Sequence, residues 1–88
     1  MEKYIEKETH RKLIKVDAIQ WTGENFKELK EFEKSVEITD MKTKHIVFYP
    51  FMDLKYNASI GDYLYKKNSF TQVMERQHFE MIFEKRKG

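Results

Sequence analysis

Cysteine is absent from the 88 residues, which excludes a disulfide framework, a thiol nucleophile and every thiolate metal site. Glycine occurs only as Gly23, Gly61 and Gly88, so the spaced glycines of a phosphate-cradling loop cannot be assembled. No apolar run approaches the ~18 residues that a membrane span requires, and the charged start lacks the apolar stretch of a signal peptide. A cytoplasmic protein with no membrane partner is the expectation. Neither sign of charge dominates: 17 Lys and Arg meet 15 Asp and Glu, for a formal charge of +2. That balance gives neither the basic excess of a dedicated nucleic-acid binder nor the acidity of a DNA mimic.

What the chain does have is aromatic surface. Residues of the apolar class make up 40% and aromatics 15%, enough for a core and too much for intrinsic disorder. Each large apolar side chain removed from water contributes about 1.5–3 kcal/mol. A chain of this length cannot divide such surface between two cores, so residues 11–85 are expected to form one domain. Residues 1–10 (MEKYIEKETH) read as a tail or short helix, and 86–88 as a basic tail.

From Arg11 to Trp21, Ile14, Val16 and Ala18 fall on one face and Leu13, Ile19 and Trp21 on the other, a strand covered on both sides. Thr22-Gly23 breaks it. Asn25 stands three residues before Glu28, the spacing of a reciprocal helix cap, and Phe26, Leu29 and Phe32 follow at helical intervals over about ten residues. Val36 to Met41 and His45 to Tyr49 read as strands, the second stopped by Pro50, which has no backbone donor. Leu54, Tyr56, Ala58 and Ile60 alternate with Lys55, Asn57 and Ser59. Gly61-Asp62 makes a turn, and Tyr63–Lys66 and Phe70–Met74 form a hairpin around Lys67-Asn68-Ser69. At the end, Phe79, Met81 and Phe83 fit a strand while Phe79, Ile82 and Phe83 fit a helix; one helical turn at Arg76 to Phe79 and then a strand is expected. The fold class is α+β: one short helix packed on a curved antiparallel sheet, or a small partly open barrel, of about five to six strands.

Chemistry is sparse. His10, His45 and His78 lack metal-ligand spacing, so no metal is expected. Ser35, Ser59 and Ser69 sit in turn or strand contexts rather than at a nucleophile elbow. Asp62 comes nearest to a candidate acid and is better explained by fixing its turn. No enzyme and no cofactor are expected. Aromatics interleaved with lysines on a sheet can stack a base or nucleotide-like ligand, which makes Gln20, Trp21, Asn25, Tyr63 and Lys66 the candidate binding residues. Gly23, Asn25, Gly61 and Asp62 are the turn and cap residues.

The stretch Val16 to Asn25 (VDAIQWTGEN), continued by Glu28-Leu29 and Phe32, resembles a family of small bacteriophage and prophage proteins that begin V-x-A-I-Q-W-T-G-x-N. Gly61-Asp62-Tyr63-Leu64 is similar to that family's G-D-[YW]-[IL] turn, and Phe79-Glu80 with Phe83-Glu84 to its terminal F-E-x-x-[YF]-E. Gln20, Trp21, Thr22, Gly23, Asn25, Gly61, Asp62 and Tyr63 are the family-like positions. The chain departs from the pattern at Pro50-Phe51-Met52-Asp53 and Lys67-Asn68-Ser69, where the family carries glycine turns. The resemblance implies a phage accessory protein acting in the bacterial host cytoplasm, and it assigns no reaction.

The functional expectations are therefore ordered. First comes a non-enzymatic phage protein that binds and inhibits a host protein, such as an antiviral-defence factor. Second comes a binder of a small nucleotide-like ligand between Trp21, Tyr63 and nearby lysines. Third comes nucleic-acid binding through Lys66-Lys67 and Lys85-Arg86-Lys87. A homodimer through an exposed strand edge is left open.

Overall fold

A computed structural model describes residues 2–6, 15–67 and 69–85. Among these the order is β1 (Glu2–Glu6), β2 (Lys15–Gln20), α1 (Phe26–Phe32), β3 (Glu37–Asp40), β4 (His45–Phe51), β5 (Leu54–Ala58), β6 (Tyr63–Lys67), β7 (Phe70–Met74), α2 (Arg76–Ile82) and β8 (Phe83–Lys85). The α+β class holds. So does the antiparallel sheet of about five to six strands: five strands form one antiparallel sheet in the order β7-β6-β2-β1-β8, and a separate three-stranded sheet, β3-β4-β5, adds to it. No closed barrel results.

The two sheets follow from β2 and β6 having apolar residues on both faces. Ile19, Trp21 and Leu64 join Leu29 and Phe32 of α1, Val36, and Ile46, Phe48 and Ala58 of the small sheet in one buried cluster. Val16, Ala18, Tyr63 and Tyr65 point the other way and are covered by Phe79 of α2 and by Phe83. The large sheet is therefore the middle layer. Its two-faced burial is the one expected for the strand ending at Trp21; Leu13 and Ile14 lie outside the described residues.

The first segment differs from expectation, since Glu2–Glu6 is a strand rather than a tail or short helix. It pairs with both β2 and β8, Tyr4 standing opposite Val16 and Lys85. Two neighbouring strands thus supply the order that its own composition does not.

Helix α1 spans seven residues, shorter than the ten expected, and its reciprocal cap is not formed. Asn25 Oδ1 instead accepts from the Thr22 backbone N–H and hydroxyl, both at 3.0 Å, and its amide donates to the Gln20 carbonyl at 2.8 Å. The side chain is spent on fastening the strand end. The helix is held by buried Leu29 and Phe32, as the spacing required.

Strand β4 continues through Pro50 to Phe51 instead of stopping. Its pairing with β3 ends at Glu37 opposite Val47, so no β3 carbonyl awaits a donor from Pro50. On the other side the register shifts between Phe48 and Phe51, which absorbs the proline as an irregularity. Helix α2 is also longer than the one turn expected. Met81 decides between the two periods: it is exposed, whereas a strand over this stretch would have turned it inward with Phe79 and Phe83.

Candidate functional site

The hairpins β4–β5 and β6–β7 bring their ends together. Phe51, at the end of β4, and Phe70, at the start of β7, meet edge to face with centroids 5.5 Å apart. They remain 53% and 45% exposed, and Leu54 beside them is 48% exposed. Met52, in the intervening turn, is more open still. Phe51, Leu54 and Phe70, with Pro50, Tyr56, Thr71 and Gln72, line a cavity of about 250 Å³. A second hollow of about 340 Å³ shares Tyr56 and Gln72 with it and is lined otherwise by Lys55, Asn57 and Val73. Both hollows are lined by residues of β5 and β7, each an edge strand of its sheet.

Beneath the apolar end lies a polar clasp. The Ser35 hydroxyl is 2.6 Å from Glu33 Oε2 and accepts the Tyr49 backbone N–H at 2.8 Å. Burial alone would raise the Glu33 pKa, but hydrogen bonds from Ser35 and Thr71 and the Lys66 charge outweigh it and hold the carboxyl below its ordinary value. Thr71 is the buried polar residue of this layer. The clasp joins the end of α1 to β4 and β7 and so fixes the floor on which Phe51 and Phe70 stand.

The residues singled out from sequence lie elsewhere. Trp21 is fully buried, and its indole N–H donates to the Lys44 carbonyl at 2.7 Å. Tyr63 is buried on the opposite face of the large sheet, stacked on Phe79 at 4.1 Å with its hydroxyl donating to Glu80. Burial first, and then the Glu80 hydrogen bond, raise its pKa. The two rings belong to different clusters with the sheet between them, so they cannot clasp a common ligand. Gln20 donates to the Gly61 carbonyl at 3.1 Å, and Asn25 is committed as described. Lys66 lies 4.8 Å from the centroid of the Phe32 ring, a cation over a core aromatic. Four of the five candidates thus hold the strand ends and the buried clusters on the two faces of the large sheet, and Lys66 covers one of these clusters.

Gly23 and Gly61 have φ of 89° and 102°, and Asp62 Oδ2 accepts the Ser59 backbone N–H at 2.9 Å. His45 stands between Ser59 Oγ at 3.3 Å and Asn57 Oδ1 at 3.4 Å. Among the described residues neither ring nitrogen meets a carboxylate. Among the described residues no three His, Asp or Glu side chains converge as metal ligands, and no helix is long and apolar enough to cross a membrane.

Sequence reasoning missed Phe51, Leu54 and Phe70. Their signal was positional: Phe51 and Phe70 flank hairpin turns, where an apolar side chain has few cross-strand partners. No protein-family model matches the chain, and no match was found among curated proteins or solved structures.

Proposed function

We propose that the chain is a non-enzymatic binding protein whose contact surface is the apolar end formed by Phe51, Met52, Leu54 and Phe70. The exposure of these four side chains around a hollow is the observation that carries the reading. At about half of the 150–250 Å² that a large aromatic can bury, each ring offers roughly 100 Å². The whole end therefore reaches a few hundred Å², the size of the largest apolar patch on a typical monomer, which is often functional. Phe and Met are also among the residues enriched at the cores of protein interfaces.

The likeness of Val16 to Asn25 to phage and prophage proteins supports an accessory role in which the partner is a bacterial host protein that the binding inhibits. The two turns where this chain departs from that family's pattern, at 50–53 and 67–69, are the turns that carry or adjoin the apolar end. A partner particular to this chain would be met there.

The test is affinity capture from bacterial lysate with the intact chain and with the double variant F51S/F70S, both first shown to unfold at similar temperatures. Partners held by the parent and lost by the variant are expected. Capture of the same proteins by both, or of none by the parent, would overturn the reading.

A further inference from the structure

The apolar end carries a projection and a recess side by side. Phe51 stands opposite Leu54 in the β4–β5 register, so Met52 and Asp53 alone make the turn. Met52 is the most exposed large apolar side chain among the described residues, at 80%. It does not line the hollow of about 250 Å³ to which Phe51, Leu54 and Phe70 contribute. A methionine side chain is unbranched and adapts to an irregular gap, and a hollow of that size has room for its four heavy atoms. One patch therefore presents both an apolar knob and an apolar recess that fits it.

Charge is divided in the same way. Asp53 follows the knob, whereas Lys67 is registered opposite Phe70 in the β6–β7 hairpin. Side chains at paired positions of antiparallel strands share a face of the sheet, which sets Lys67 beside the Phe70 side of the recess. Both charges are exposed, and neither forms an ion pair among the described residues. Lys55 follows Leu54 on β5 and by strand alternation is turned to the other face. The knob is thus acidic and the recess basic.

From this reciprocity, and resting on the proposed contact surface, we infer that two copies of the chain close on each other through their apolar ends. Met52 of each copy enters the recess of the other, and Asp53 of each meets Lys67 of the other. A two-fold interface requires a single patch to be its own complement, and here a knob with an acid lies beside a recess with a base. Two patches of a few hundred Å² bury roughly 800 Å² together, below the ~1,200 Å² at which stable interfaces begin. The dimer is therefore weak and reversible, with the copies meeting tip to tip rather than strand edge to strand edge. Because it covers the surface that a partner needs, dimer and partner complex exclude each other by mass action.

Sedimentation equilibrium of the intact chain from micromolar to millimolar concentration measures the association, alongside Met52→Ser, Asp53→Lys and Lys67→Glu, each first shown to unfold at a temperature close to the parent's. The parent is expected to pass from monomer to dimer and no further. Met52→Ser should weaken the dimer at least tenfold, since two buried knobs are lost. Asp53→Lys and Lys67→Glu should each weaken it about tenfold, because each turns two attractions into repulsions. An equimolar mixture of these two variants should regain the parent's affinity, since both facing pairs of the mixed dimer are again of opposite sign. A parent that stays monomeric to millimolar concentration, growth beyond the dimer, or a mixture as weak as its components would overturn the inference. Lysate partners that are still lost with F51S/F70S in that event would leave the contact surface standing and remove only the self-association.

Discussion

The Ser35 hydroxyl occupies the position of a missing ladder partner for Tyr49, accepting its backbone N–H at 2.8 Å while lying 2.6 Å from Glu33. One short side chain therefore satisfies a strand just before its proline and also stabilises a carboxylate. Ser35→Ala leaves that N–H without its side-chain acceptor and takes one of its donors from Glu33, and, because the contact is partly open to water, is expected to lower stability by about 0.5–1.5 kcal/mol. Denaturant unfolding at neutral pH measures it; a change indistinguishable from zero would mean that water replaces the hydroxyl.

The same carboxylate ties stability to pH. Glu33 has a folded pKa below its ordinary value of 4.5, so the folded state favours the ionised form. Its contribution is complete above the unfolded pKa and is lost as pH falls through the lower folded value. Glu33→Gln should therefore lose stability at neutral pH and show a shallower decline between neutral and acid conditions than the parent. Parallel declines for the two proteins would assign the acid sensitivity to other groups.

Trp21 is the chain's single tryptophan and is sealed from solvent. Its fluorescence should be blue-shifted, resistant to acrylamide quenching until the chain unfolds, and unchanged by a panel of nucleotides. Trp21→Phe removes the N–H that satisfies the Lys44 carbonyl and leaves a void, a loss of about 2–3 kcal/mol. Ready quenching in the folded protein would contradict the burial on which the layer order rests.

How much of this was legible in the sequence depended on whether local pattern or distant packing decided each element. The two-faced strand through Val16, Ala18, Ile19 and Trp21, the Gly61-Asp62 turn and the β6–β7 hairpin were readable because period and turn chemistry fix them locally. The strand Glu2–Glu6 was not, because β2 and β8, distant in the chain, impose it. Asn25 has the spacing of a cap, yet nothing in the spacing reveals that Gln20 and Thr22 compete for its amide. Trp21 and Tyr63 beside polar turns looked available to a ligand; the division of aromatics between the two faces of the large sheet buried both. The apolar end escaped notice because it needs two hairpins, far apart in sequence, to meet.

The hairpin turns carry backbone strain. Met52 and Ser69 adopt φ of 48° and 71°, the left-handed region in which a side chain costs roughly 1–2 kcal/mol relative to glycine. Ser69→Gly is thus expected to raise stability, by roughly 1 kcal/mol at most once the extra freedom of the unfolded chain is set against the relief. Met52→Gly should do the same and also remove the most exposed apolar side chain of the contact surface. Comparing the two separates backbone relief from binding: both stabilise, and only Met52→Gly weakens partner capture. Destabilisation by Ser69→Gly would show that the turn is held by side-chain contacts instead.

Phe51 and Phe70 stand on different sheets, so their edge-to-face contact is also a tie between the two. A double-mutant cycle with Phe51→Leu and Phe70→Leu should yield a coupling near the lower end of the 0.5–1.5 kcal/mol typical of aromatic pairs, about 0.5 kcal/mol, because both rings are half in water. Each single change keeps apolar volume and should cost little by itself. The size of the coupling discriminates between two uses of the pair. A value well above 1 kcal/mol would make the rings part of the fold, leaving less of their surface energy for a partner; a value near zero would make them independent side chains that only a partner brings together. A small positive coupling fits a pair pre-arranged by the fold and completed by binding, which is what the proposed contact surface requires.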